Sequence, residues 1–300
     1  MKHSETAAPV ALSAEQVRQY QEQGFCVCHG FLDQQELATF HDEIEQISAG
    51  STLANHDETK LEMEPDQAPD GTAVRRIYEP CGNYGRFRAF SQADKLLDAV
   101  EQLVGPNLTF HYSKINMKPS GVGSVVEWHQ DLSYYPLTNQ DSLAVLLYLD
   151  DADRTNGCLK IIPGMQRAYD HSRNGFFQGK ITEPVDDSKA VDIEGKAGTA
   201  TFMHCMVLHA SAPNRSQRSR RTLILSYRAA DAFPIYVPDM TIINDKHARH
   251  VRGEQLAVAR FTMNSFPIPR YPRQTKSLYD LQELSRKETG QQPSVAAQRG

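Results

Sequence analysis

Between residues 143 and 228 the chain is written in short apolar runs, each closed by turn residues, and this restricts it to an all-β core. Residues 143–149 form an unbroken apolar run of strand length, which predicts a buried strand. Asn156-Gly157-Cys158-Leu159-Lys160-Ile161-Ile162-Pro163-Gly164 reads as turn, short strand, turn. Residues 198–204 lead into a strand expected to end near His209. From 220 to 228 the residues alternate, apart from Ile224. Leu223, Leu225 and Tyr227 take one parity; Arg220, Thr222, Ser226 and Arg228 take the other. That predicts a strand with a polar face toward a pocket and an apolar face against another layer. Such a ladder suits a β-sandwich or barrel.

His209 falls within this ladder, and a second histidine and a carboxylate, His129 and Asp131, stand shortly before it. On a strand, His129 and Asp131 point to the same face, because side chains alternate. His209 can complete the set. Two histidines and one carboxylate form the facial triad that holds non-haem Fe(II) and leaves coordination positions open for chemistry. A His-x-Asp triplet alone also reads as a surface histidine beside a charge in a loop. Ser211 shares a face with His209 if the strand continues that far. Arg220 sits at the entrance of the alternating strand, where a guanidinium can grip a carboxylate with two parallel hydrogen bonds. Arg215, Arg218, Arg220 and Arg221 are crowded together, so on local sequence alone a solvated basic turn is the simpler reading.

Taken in order, these anchors resemble the phytanoyl-CoA dioxygenase family of Fe(II)/2-oxoglutarate oxygenases. His129-Gln130-Asp131-Leu132-Ser133-Tyr134-Tyr135-Pro136 resembles the proximal metal motif, and Asn156-Gly157-Cys158-Leu159 with Pro163-Gly164 the central strand motif. His209-Ala210-Ser211-Ala212-Pro213-Asn214-Arg215-Ser216 followed by Arg220 resembles the distal histidine, serine, asparagine turn and cosubstrate arginine. Gly105-Pro106-Asn107 and Ile115-Asn116-Met117-Lys118-Pro119 resemble the approach to the metal strand. The likeness runs from about residue 13 to about residue 228.

The resemblance implies a mainly β fold, a double-stranded β-helix (jelly-roll, cupin-like) with helices packed outside one sheet. It implies His129, Asp131 and His209 as the iron ligands and catalytic set. It also implies 2-oxoglutarate and O2 as cosubstrates, with the far carboxylate on Arg220 and Ser211 beside it. Arg221 is expected to point the other way. Arg76 lies near the place of a basic residue that meets the C1 carboxylate, and Asn116 either lines the cosubstrate pocket or ends a strand. Leu146 stands where the family often has a pocket tryptophan. The implied reaction releases succinate and CO2 and hydroxylates an unactivated C–H bond. Halogenating relatives replace the carboxylate ligand by a small residue; Asp131 is retained, which implies hydroxylation, desaturation or cyclisation. Two other readings remain at this point: a silent metal-binding barrel with a binding or regulatory role, and a cupin dioxygenase independent of 2-oxoglutarate.

Other residues have plainer expectations. His204 is expected to pack away from His209, His111 to be a core histidine, and Trp128 to pack in the wall. His247 and His250 read as members of a solvated basic loop, and Tyr134 and Tyr135 as closing the substrate side. The five cysteines offer no zinc-type pairing, so reduced thiols and a cytoplasmic setting are expected. Among arginines, Arg75, Arg76, Arg86, Arg88 and Arg228 are candidates to meet an anionic substrate such as a carboxylate or phosphonate; surface ion pairs explain them equally.

At 300 residues the chain suffices for one large β-based domain, and a net charge of −5 argues against non-specific nucleic-acid binding. No run is long enough to cross a bilayer, and no secretory or peroxisomal signal is read at either end. The expected partner is a small polar metabolite or natural-product intermediate rather than an acyl-CoA. The organisation expected is a flexible segment 1–12, a single domain 13–288 with its barrel at about 108–228, and a disordered tail 289–300. Ser13 and Gln16 form a capping-box pattern before a helix. A strand follows near 25–27, with further helices at 33–48, 93–104 and 277–288. Residues 50–72, polar and without periodicity, read as a loop that could cover the site. Residues 229–272 read as irregular, folding back near the pocket mouth.

Overall fold

A computed structural model describes residues 12–121, 124–164, 167–235, 245–271 and 277–290. Its strands are β1 (Phe25–Cys28), β2 (Leu61–Met63), β3 (Val74–Tyr78), β4 (Leu108–Lys118), β5 (Val126–His129), β6 (Ser142–Tyr148), β7 (Leu159–Ile162), β8 (Ser172–Arg173), β9 (Phe176–Phe177), β10 (Val191–Ile193), β11 (Ala200–His204), β12 (Leu208–Ser211), β13 (Arg220–Ala229) and β14 (Arg249–Arg252). Its helices are α1 (Ala14–Gln23), α2 (Gln34–Ser48), α3 (Pro80–Asn83), α4 (Gly85–Phe90), α5 (Asp94–Val104) and α6 (Leu278–Thr289). The large sheet runs β1-β11-β6-β13-β4-β3-β2, with β14 also on β4; the small sheet runs β10-β7-β12-β5. The pairings within both sheets are antiparallel. This is the expected double-stranded β-helix.

Alternation sorts the large sheet into two faces. Leu147, Leu223, Leu225, Ile115, Ile77 and Phe202 face outward into a core shared with Tyr20 of α1, Leu37, Phe40 and Ile44 of α2, and Leu96, Leu97 and Val100 of α5. Each such side chain contributes about 1.5–3 kcal/mol by leaving water. Ala144, Leu146, Tyr148, Met203 and Ile224 face inward, toward Leu159, Ile161 and Ile193 of the small sheet. The helices start where their caps dictate: Ser13 with Gln16 and Asp33 with Glu36 both close capping boxes.

Four expectations are corrected. Residues 50–72 are not all loop, since β2 lies within them and pairs with β3. Leu61 and Met63 are buried around a single Glu62, a pattern too short to register as periodic. The sheet framework therefore reaches well before residue 108, with β1, β2 and β3 all in the large sheet. Residues 200–211 form two strands in different sheets. The Val207 N–H donates to the His204 carbonyl at 3.0 Å and closes a turn that carries no glycine or proline. Residues 229–271 include β14, which pairs with the Leu108 end of β4, away from Arg220. The expected terminal segments at 1–11 and 291–300 lie outside the described residues.

Candidate metal centre

The small sheet carries the histidines. His129 ends β5 and His209 lies opposite it on β12. Asp131 is not on the strand as expected: β5 stops at His129, and Asp131 opens a single 3-10 turn, Asp131–Ser133. Gln130 keeps an extended backbone (φ −120°, ψ 133°), so the carboxylate still emerges beside His129. The His129 Nδ1–H donates to the Glu127 carbonyl at 2.8 Å, and the His209 Nδ1–H to the Val207 carbonyl at 3.0 Å. A carbonyl can only accept, so each Nε2 carries a free lone pair. Both Nε2 atoms face the same Asp131 oxygen, at 3.7 and 3.6 Å. The three ligand atoms lie within 4.8 Å of one another, and no other such group of His, Cys, Asp or Glu occurs among the described residues. Burial, followed by the neighbouring His209, holds His129 well below the usual histidine range; burial also lowers His209. Neutral imidazoles are what a cation requires.

Sequence reasoning missed what holds this turn. Gln130 is buried, donating to the Arg167 and Met206 carbonyls (2.9 and 2.7 Å) and accepting the Tyr169 N–H (2.9 Å). His171 accepts the Gln130 N–H at 3.1 Å. Two loops, the one that carries Arg167, Tyr169 and His171 and the one that carries Met206, are thus tied to the segment between two ligands. A buried glutamine between ligands was the available signal.

Arg220, Ser211 and Asn116 join the triad around one cavity of about 580 Å³, counting its open mouth. Lys114, Lys118, Leu146, Thr222 and Leu278 also line it. Arg220 lies buried at the start of β13. Its guanidinium donates to the Thr222 hydroxyl and the Gly157 carbonyl, while its Nε has no partner among the described residues. Gly157 has φ +74°, and a Cβ there would strike the Ala212 carbonyl, so the turn admits only glycine. Among the described residues no carboxylate lies within ion-pair reach of Arg220, and burial lowers its pKa. Arg221 faces the other way and grips Asp150 with two bonds (2.8 and 2.7 Å).

Arg76 is cross-strand from Asn116 and donates to its Oδ1 at 3.2 Å. Glu62 lies 3.9 Å from it and the Tyr279 ring 4.8 Å. Asn116, not Arg76, reaches the cavity. Trp128 packs in the wall with Leu208 and Ile181, and His204 packs against Tyr20. Tyr134 sits edge-on to His129 and donates to the Gly179 carbonyl. The five cysteines are free and buried.

A neutral two-histidine, one-carboxylate cluster fits Fe(II), and a buried guanidinium without an anion fits the far end of a dicarboxylate. Fold and site together define a jelly-roll oxygenase that uses iron and a 2-oxoacid. The phytanoyl-CoA dioxygenase (PhyH) family model matches residues 20–222, and the chain belongs to that family of iron- and 2-oxoglutarate-dependent dioxygenases. It is 32% identical over 231 residues to the probable alpha-ketoglutarate-dependent hypophosphite dioxygenase of Stutzerimonas stutzeri, covering 74% of this chain and 80% of that one. It is 25% identical over 242 residues to the ectoine dioxygenase of Bordetella bronchiseptica, covering 74% and 77%. The crystal structure of EctD from S. alaskensis with bound Fe superposes with a TM-score of 0.64 at 21% identity, over 87% of this chain and 90% of that one. No helix among the described residues is long and apolar enough to cross a membrane.

Proposed function

We propose that this protein hydroxylates, desaturates or cyclises a small metabolite or natural-product intermediate at an unactivated bond, releasing succinate and CO2. The observation that carries this reading is the convergence of both Nε2 atoms on Asp131, beside a buried Arg220 that has no anionic partner among the described residues. His129, Asp131 and His209 are the residues to hold iron, and Arg220 with Ser211 the far carboxylate of 2-oxoglutarate. Asn116, oriented by Arg76, is assigned to the near end of the cosubstrate. Bound there, iron and 2-oxoglutarate supply dioxygen activation. The protein's part is to orient and to exclude water. The Glu127 and Val207 carbonyls fix the imidazoles, and Gln130 fixes the turn that carries Asp131. Leu146, Ile224 and Leu278 give the cavity an apolar lining. A relative named for hypophosphite puts small oxyanions among the substrates to try. The test is substrate-stimulated succinate release across a metabolite panel, with product mass. A gain of one oxygen marks hydroxylation and a loss of two hydrogens marks desaturation or ring closure. No stimulated succinate with any compound, together with an Arg220→Ala variant indifferent to 2-oxoglutarate, contradicts the reading.

A further inference from the structure

The cavity holds a cation to which the function proposed above gives no role. Lys114 stands mid-strand on β4, cross-strand from Ile224 on one side and Tyr78 on the other. Its parity is that of Asn116 and Lys118, so it faces inward and lines the same cavity as His129, Asp131 and His209. Its charge is felt at both imidazoles and at Asp131. The two other cations lining the cavity are committed. Lys118 is buried on the Ser124 and Ala212 carbonyls, and Arg220 is the cosubstrate anchor on the reading proposed above.

Lys114 has no such partner. Among the described residues its ammonium makes no hydrogen bond, and no carboxylate lies within ion-pair reach; the Tyr112 ring centroid is 5.8 Å away. Two acids act on it from farther off. Asp131 is required by the metal, and Glu79 accepts from the Ser113 N–H and hydroxyl at 3.2 and 3.4 Å. Arg76 repels it from the side of β3. Burial first, and then Arg76, bring its pKa down to about 8, which leaves it charged at neutral pH. Lys114 is half-buried, and a charge partly withdrawn from water without a counter-charge is destabilised, a cost that a bound anion relieves. With the metal, Asp131, a doubly charged 2-oxoacid and Arg220 in place, these groups balance, and the Lys114 charge is left over.

We propose that Lys114 is the substrate anchor, and that the substrate is a small oxyanion, a carboxylate, phosphonate or phosphinate, whose acidic group docks on its ammonium. Lysine is a compact point charge with three donors, which suits a tetrahedral oxyanion as well as a planar one. The inference rests on the function proposed above and adds the substrate class and the residue that selects it.

The test uses the whole chain, loaded anaerobically with Fe(II) and 2-oxoglutarate and read by its visible charge-transfer band. Methylphosphonate, hypophosphite and acetate are titrated as probes, with methanol as the neutral control. At least one anion is expected to perturb the wild-type band saturably, and methanol not to. Lys114→Met should bind 2-oxoglutarate within about threefold of wild type yet bind that anion at least tenfold more weakly. Lys114→Arg should restore much of the loss. Lys114→Gln serves the same purpose if the methionine variant does not fold. The proposal is overturned if no anion perturbs the wild-type band, or if the neutral variant binds the anion equally well. It is also overturned if that variant loses 2-oxoglutarate tenfold, since Lys114 would then serve the cosubstrate. A wild type without any band contradicts the function itself and removes this inference with it.

Discussion

Arg220 is surrounded by neutral groups, a threonine hydroxyl and a glycine carbonyl, where a buried guanidinium would ordinarily meet an acid. Removing it removes the counter-charge for one end of a dicarboxylate. Arg220→Ala is therefore expected to weaken 2-oxoglutarate by roughly 2–5 kcal/mol, measured by anaerobic titration of the charge-transfer band. Unchanged affinity would remove Arg220 from the site. On local sequence alone Arg220 read as part of a solvated basic turn; only the family resemblance made it legible as a candidate, together with Ser211 and the set His129, Asp131 and His209. Lys114 was not legible, because in an alternating strand a lysine reads as solvent-facing until the opposite sheet is known. Conversely, candidates such as Arg75, Arg86 and Arg88 have local partners in Glu62 and Glu64, Glu43, and the Cys81 carbonyl. Another residue-scale effect concerns pH. Burial pushes His204 down to about 4, against about 6.5 in an unfolded chain. Above 6.5 the imidazole is neutral in both states and costs nothing. Between 6.5 and 4 the unfolded chain takes up the proton and the folded one does not. Stability should then fall by up to about 1.4 kcal/mol per pH unit from this group. Denaturant midpoints at pH 7 and 5 should converge between wild type and His204→Gln; parallel losses would refute the assignment.

Elements declared themselves where they carried their own punctuation. α1 and α2 have capping boxes, α6 has Ser277 as its cap, and β13 has its two parities. The break between β11 and β12 was hidden because Cys205, Met206 and Val207 are buried and apolar, and nothing local says that the chain changes sheets there. The 3-10 turn at Asp131 was hidden for a related reason, since Gln130 stabilises it through two distant segments. α6 shows how a late element completes the barrel. Leu278 lines the cavity, Tyr279 covers Arg75 and Arg76, and Gln282 is buried. The Gln282 side chain accepts the Glu127 N–H at 3.1 Å and donates to the Gly179 carbonyl. Gln282→Leu removes the acceptor of the Glu127 N–H and leaves the Gly179 carbonyl with the Tyr134 hydroxyl as its remaining side-chain donor. It should cost on the order of 1–3 kcal/mol in denaturant unfolding and raise amide exchange in α6. An unaltered exchange pattern would mean that the helix docks by other contacts.

At the scale of the whole molecule, the site exists because two sheets face each other. The small sheet supplies His129 and His209, and the large sheet supplies Asn116, Lys114 and Arg220. Helices on the outer face of the large sheet bury its apolar parity, which leaves the inner face free to be polar. The central claim is that His129, Asp131 and His209 share one ferrous ion, and anaerobic Fe(II) titration in the presence of 2-oxoglutarate tests it most directly. Wild type should take up one iron per chain and develop the charge-transfer band, and Asp131→Ala should lose the band and all turnover. An Asp131→Ala protein that keeps band, iron affinity and activity at wild-type levels would contradict the account.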